Sequence, residues 1–144
     1  TVSAGNLDFG SGGGNSDNYA HKVTVTNNTL AYPFTVSPGD FYGRVSINYT
    51  SRAWPTDGTG VRMWLSKTRG GAPLSKACGA NMGRAGNLWW DQTGKRSQSC
   101  QVPGGALYLN LRACVAVASD ATCSTATTSS PSVQIAIQGI VTRY

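Results

Sequence analysis

The stretch LYLNLRACVAV, residues 107–117, alternates large aliphatic side chains with mostly polar ones. Because successive side chains of a β-strand point to opposite faces, this alternation indicates a strand with one buried aliphatic face. The outer face would carry Tyr108, Asn110 and Arg112. The stretch is too regular in its period of two to form an amphipathic helix, so it sets the fold class.

Shorter runs of the same period occur at residues 22–26, 44–50, 61–66 and 133–138, and weaker strands are expected at 7–9, 33–36, 87–90 and 99–102. Turn signals rich in Gly, Pro, Asn and Asp separate these runs. The sequence therefore predicts an all-β fold, an antiparallel β-sandwich or jelly roll of about eight or nine strands. It forms a single domain over residues 1–144. Gly139 interrupts the last run and predicts a bulge there.

The composition supports strands and polar turns. Only 12% of the residues are charged and Glu is absent, which argues against amphipathic helices. The net charge is +6, which can attract nucleic acid or anionic glycans. The basic residues are scattered singly apart from Lys95-Arg96. We therefore expect the positive charge to keep the protein soluble, and we do not expect nucleic acid to be its partner. No apolar run approaches the ~20 residues that a membrane span needs.

The four cysteines are Cys78, Cys100, Cys114 and Cys123, and none forms a CxxC pair. An even number of cysteines in a small, loop-rich chain indicates two disulfides and an oxidising, extracellular compartment. Three pairings are possible in principle. Residues 119–122 form a plausible turn between the last two cysteines, which favours pairing Cys114 with Cys123 and Cys78 with Cys100.

The sequence does not indicate an enzyme. Its one histidine, His21, has no nucleophile motif near it, and the six acidic residues are all Asp in turn-like contexts. Metal sites built on two histidines are excluded by count, and residues 57–60 lack the further acids of a calcium loop. We expect no catalytic residues, no metal and no cofactor.

The candidate ligand-binding residues are aromatic side chains among planar polar groups. Trp64 points away from the aliphatic face of its strand, as Tyr108 does on its own. If these strands are neighbours, with the strand of Asn48 beside them, one face could stack a sugar ring or anchor a protein. The candidates are Trp64, Tyr108, Asn110, Arg62 and Arg112, with Trp54 and Trp89 on adjoining loops. Alternatively, the long loop around Cys78 folds over this face and buries Trp64.

Two resemblances follow from particular residues. The cysteines together with Trp89-Trp90 and the segment QVPGGALYLN, residues 101–110, resemble small disulfide-bonded β-sandwich modules on bacterial and phage surface proteins. This similarity covers the C-terminal half. The opening TVSAGNLDFG, residues 1–10, resembles the start of secreted pilin subunits, without their usual cysteine. Both resemblances imply an extracellular β-domain, and neither implies a defined ligand.

These features lead to one favoured hypothesis and one alternative. The favoured function is an extracellular recognition or adhesion module, on a bacterial or phage surface, that binds a glycan or a cell-surface receptor. The alternative is a structural subunit, pilin-like or part of a phage coat or tail, that assembles through sheet edges. Its expected edge is the terminal strand, which begins at Val133 and ends at Tyr144.

Overall fold

The computed structural model describes residues 2–3, 15–16, 21–26, 28–36, 41–49, 59–79, 85–95, 99–102, 105–115 and 132–143. This part of the chain is all-β, as predicted, and its one helical element is a short 3₁₀ helix, Lys76–Cys78. None of its helices has the length and apolar character needed to cross a membrane.

Ten strands lie within the described residues, where the sequence predicted eight or nine. They are β1 Val2–Ser3, β2 Asn15–Ser16, β3 His21–Thr26, β4 Leu30–Val36, β5 Phe41–Tyr49, β6 Thr59–Ser66, β7 Ala85–Asp91, β8 Cys100–Gln101, β9 Gly105–Val115 and β10 Ser132–Arg143. The weak strands predicted at 33–36, 87–90 and 99–102 fall on β4, β7 and β8, whereas residues 7–9 lie outside the described residues.

The strands form two sheets. Sheet A has the order β1-β4-β9-β6, and sheet B has the order β2-β10-β5-β7-β8 with β3 also paired to β10. Most neighbours are antiparallel, while the short β1 and β8 pair in parallel with β4 and β7. The strand predicted at residues 107–117 corresponds to β9, which lies inside sheet A between β4 and β6. The aliphatic residues of all three strands therefore have to face the same side of the sheet.

One hydrophobic core is shared by both sheets. Sheet A contributes the aliphatic residues of β6 and β9, with Leu109 fully buried among them. Sheet B contributes those of β3, β5 and β10, together with Leu88 and Trp90 of β7. Tyr32 of β4 packs against this core, and its burial raises the pKa of the Tyr32 hydroxyl. The predicted alternation therefore places its aliphatic residues correctly.

The terminal strand β10 is not an edge. It pairs with β5 over Ile135–Arg143 on one side, and with β3 and β2 on the other. Most of both hydrogen-bonding sides of this strand is therefore occupied, which leaves little edge for assembly, and self-assembly through the strand from Val133 to Tyr144 stays a prediction. The predicted bulge at Gly139 is absent on the β5 side, where the register runs unbroken and Gly139 faces Val45.

The disulfide predicted between Cys78 and Cys100 is present and fully buried. Cys78 is the last residue of the 3₁₀ helix, and the next residue, Gly79, forms a bridge to Trp64 of β6 in sheet A. Cys100 is the first residue of β8, at the edge of sheet B. The bond therefore ties one side of sheet A to one side of sheet B. The predicted pairing of Cys114 with Cys123 lies outside the described residues and stays a prediction.

Replacing both Cys78 and Cys100 by Ala should lower the free energy of unfolding by about 3 kcal/mol, because a crosslink across this span restricts the unfolded chain. Urea denaturation measures the change, with the Cys114→Ala/Cys123→Ala variant as a comparison for the second predicted pair. Thiol labelling of Cys78 or Cys100 in the unreduced, denatured protein would show that this bond does not form.

Candidate functional site

The sequence-predicted site lies on the outer face of sheet A, and its strands are neighbours as expected. In the register of β6 with β9, Arg62 faces Arg112 and Trp64 faces Asn110. Tyr108 lies one step further, opposite Ser66. Five of the seven candidates therefore come together in three adjacent rows of one sheet face.

A covering segment, residues 67–79, closes much of this face. It turns back along the outer side of β6, where the Leu74 amide donates to the Leu65 carbonyl at 3.0 Å. Isolated bridges join Ser66 to Pro73 and Trp64 to Gly79. The segment thereby pairs part of the free side of β6, which would otherwise present unpaired backbone groups.

The polar groups beneath the covering segment are bonded to it. Trp64 Nε1 donates to the Gly71 carbonyl at 2.7 Å, and the Gly70 amide donates to Asn110 Oδ1 at 2.8 Å. Asn110 Nδ2 in turn donates to Ser66 Oγ at 2.8 Å. Trp64 and Asn110 are both 0% exposed. The hypothesis that they contact a ligand is therefore corrected: their partner is the protein's own chain, as the alternative interpretation of Trp64 allowed.

Two glycines allow the covering segment to turn this tightly. Gly70 has a φ of 67°, a conformation that L side chains rarely adopt. The Gly71 amide donates to the Thr68 carbonyl at 3.0 Å, and a Cβ on Gly71 would come far too close to Thr68 Oγ1. The turn also places Arg69 Cζ 4.7 Å from the centroid of the Tyr108 ring. Tyr108 is therefore partly occupied by a cation from the same chain.

The remaining candidates are divided between different places. Arg62 and Arg112 are partly exposed on the outer face of sheet A, and Trp54 lies outside the described residues. Trp89 is in β7 of sheet B rather than on a loop beside Trp64. Asn48 is in β5, so the expectation that its strand neighbours those of Trp64 and Tyr108 is wrong.

The outer face of sheet B carries an exposed aromatic group in polar surroundings. Among the described residues, Trp89 is the large hydrophobic side chain that stays exposed, at 37%. Arg44 lies directly opposite it on β5, with Cζ 5.3 Å from the ring centroid. The next row pairs Ser46 with Asn87 and with Gln138 of β10. We call this group the Trp89 face; it comprises Tyr42, Arg44, Ser46, Asn48, Asn87, Trp89 and Gln138.

Small residues keep the floor of the Trp89 face low, and hydrogen bonds fix its polar groups. Ser46 and Ala136 are buried, whereas their cross-strand neighbours Asn87 and Asn48 are exposed. Ser46 Oγ donates to Asn87 Oδ1 at 2.7 Å, which orients the Asn87 amide. A saccharide ring can stack on a flat indole while amide and guanidinium groups bond its hydroxyls.

One end of the Trp89 face is closed by a turn after β7. The buried Asp91 side chain accepts hydrogen bonds through Oδ1 from the Thr93 and Gly94 amides, the latter at 2.8 Å. Gly94 has a φ of 74°, which lets the backbone bend around the carboxylate. Asp91 is therefore a turn-forming residue, as predicted for the aspartates, and defines the boundary of the face.

Sequence reasoning found Trp89 but missed its partners. The period of two predicts that Arg44, Ser46 and Asn48 share the outward face of one strand, but that strand, β5, lies in sheet B and not beside the strands of Trp64 and Tyr108 as expected. Two adjacent tryptophans, Trp89 and Trp90, left open which one points outward. The burial of Trp90, at 1% exposed, settles this in favour of Trp89.

Replacing Asn110 by Ala should lower the free energy of unfolding by about 1–3 kcal/mol, since the Gly70 amide and Ser66 hydroxyl would lose a buried partner. Hydrogen exchange of the Gly70 amide should become faster. Asn48→Ala, at an exposed asparagine of the other sheet, is the matched control and should change stability little. Equal effects of the two substitutions would contradict the covering role of residues 67–79.

Comparison with protein-family models and with curated proteins finds no match for this chain. Within the described residues, no group of three or more His, Cys, Asp or Glu side chains could hold a metal ion. The geometry of the two outer faces is therefore the basis for assigning a function. Of the two, the Trp89 face presents exposed aromatic and polar groups together.

Proposed function

We propose that this chain is an extracellular recognition module, of β-sandwich architecture, that binds a saccharide through the Trp89 face. Its setting would be a bacterial or phage surface, as the resemblances imply. The single observation that carries the proposal is Trp89, an indole that is 37% exposed on β7, beside the polar outward residues of β5. Tryptophan and arginine are enriched among the residues that anchor binding interfaces, and Trp89 and Arg44 lie together here.

The neighbours of Trp89 favour a saccharide over an apolar ligand. Arg44 lies over one face of the Trp89 ring and brings a positive charge, so a sugar would stack on the other ring face, and Asn87 is exposed with its amide oriented by Ser46. Asn48 adds a further exposed amide on β5. A face with one aromatic platform and several planar hydrogen-bonding groups matches a sugar, which has an apolar ring face and hydroxyl edges.

The sandwich architecture and the extracellular location have their own support. Both sheets contribute to one core, which is the arrangement expected when two sheets pack face to face. The buried disulfide between Cys78 and Cys100 favours an oxidising compartment. Both points are consistent with a secreted or surface-exposed module.

The alternative, a structural subunit that assembles through sheet edges, has less support. The terminal strand β10 is paired on both sides, and the covering segment pairs part of the outer side of β6. Sparse charge, at 12% of residues, remains in its favour because it lowers repulsion between copies. Negative-stain images of concentrated protein that show fibres or shells would favour this alternative.

A glycan array, followed by titration of the best-bound saccharide, tests the proposal. Trp89→Ala should weaken binding at least about tenfold, equivalent to about 1.4 kcal/mol, because the stacking platform is lost. Tyr108→Ala is the matched control, since it removes a partly exposed aromatic from the outer face of sheet A, and should change affinity less than about twofold.

Two results would contradict the proposal. The first is a saccharide whose affinity is unchanged by Trp89→Ala but lost with Tyr108→Ala, which would move the site to sheet A. The second is the absence of binding to any saccharide of the array by protein whose disulfide and thermal unfolding are intact.

A further inference from the structure

We propose that Arg62 and Arg112 form a second binding site, on the outer face of sheet A, for a single oxyanion group such as a sulfate or carboxylate. The site is separate from the Trp89 face, because β6 and β9 belong to one sheet and β5 and β7 to the other. The ligand is an oxyanion with two or more oxygens on one centre, either free in solution or carried on an acidic sugar.

The register brings two like charges together. Arg62 of β6 lies directly opposite Arg112 of β9, and both side chains are on the outer face. Residues directly opposite on antiparallel strands have their Cβ atoms about 4.5–5.5 Å apart, and like charges in that position destabilise a sheet. An anion bound between the two guanidinium groups would attract both of them, so the repulsion between the arginines would be replaced by a net attraction.

Both arginines also carry an unsatisfied donor. The Nε atoms of Arg62 and Arg112 are buried, and neither has a hydrogen-bond acceptor among the described residues. A buried N–H without a partner is uncommon and costs stability, so its presence calls for an acceptor. Because the Nε atoms are buried, the terminal N–H groups of the two guanidinium groups are the donors for an anion from solution, and a guanidinium can present two parallel N–H groups to two oxygens of one carboxylate, sulfate or phosphate group.

The described part of the chain provides no carboxylate for this pair. Its one acidic residue is Asp91, which lies on sheet B and accepts hydrogen bonds from Thr93 and Gly94. The whole chain carries twelve basic and six acidic residues, so basic groups outnumber their potential partners. An external anion is therefore the partner that the charge balance favours.

The row of residues next to the arginine pair is held in place by hydrogen bonds. Trp64 and Asn110, two residues along from Arg62 and Arg112 on the same face, are held beneath the covering segment by hydrogen bonds. Both arginines are partly buried next to this rigid row. A rigid row on one side restricts the conformations open to a partly buried arginine, and a restricted side chain loses less conformational entropy when an anion binds.

Titration with inorganic sulfate at constant ionic strength tests the proposal, with the Nε–H resonances of the arginines as the readout. Sulfate should shift the Arg62 and Arg112 resonances together in a saturable way. Arg62→Gln and Arg112→Gln should each weaken sulfate binding at least about tenfold. Arg62→Lys, which keeps the charge but lacks the forked donor, should also weaken it.

Arg69→Gln is the matched control, because it removes the same charge from the covering segment on the same side of the protein. Arg69 stacks on Tyr108, and its loss should leave sulfate affinity within about twofold, since a bidentate contact depends on position and not on net charge. Saccharide binding at the Trp89 face should persist in Arg62→Gln, which separates the failure of one site from failure of the other.

A sulfated disaccharide and its unsulfated parent distinguish the two sources of the anion. Tighter binding of the sulfated sugar than of inorganic sulfate identifies a glycan-borne group, and equal binding identifies a free anion; both support the site. The proposal is overturned if Arg62→Gln and Arg112→Gln bind sulfate as the unchanged protein does. It is also overturned if sulfate binds only after Asp57→Asn or Asp120→Asn, because an aspartate of the chain would then be the partner.

Discussion

The fold depends on one aliphatic layer that both sheets bury together. Val and Leu side chains of β6 and β9 pack against Val and Ile side chains of β5 and β10. Neither sheet could bury its aliphatic face without the other sheet. This requirement fixes which residues face outward as well as inward, because a shift of one position would turn every side chain to the opposite face. The buried disulfide adds a covalent tie between one side of each sheet.

The outer faces differ because one of them is covered by the chain itself. On sheet A, residues 67–79 satisfy the indole of Trp64 and the amide of Asn110, so these groups serve the fold. On sheet B, Asn48 and Asn87 are exposed and Arg44 is partly exposed near Trp89, and the turn after Asp91 closes one end. The covering segment therefore leaves sheet B with the more open of the two outer faces.

The arginines on the two outer faces also differ in what they contact. Arg44 and Arg69 each stack on an aromatic ring, Trp89 and Tyr108 respectively, and are partly balanced by the ring face. Arg62 and Arg112 face each other across two strands, and within the part of the chain that the structure describes neither stacks on a ring. With twelve basic and six acidic residues the protein has a positive field, which attracts anions.

The sequence by itself determined the all-β class and the inward and outward faces of its clearest strands, because each follows from a period of two. It only favoured the pairing of Cys78 with Cys100 among three possible pairings, and the structure shows that bond. Only the tertiary structure decided which strands are neighbours. That decision placed β10 inside a sheet, moved Asn48 away from Trp64, and selected Trp89 over Trp90 as the exposed indole. Strand order and the path of residues 67–79 depend on contacts between residues far apart in the chain, which no local pattern encodes.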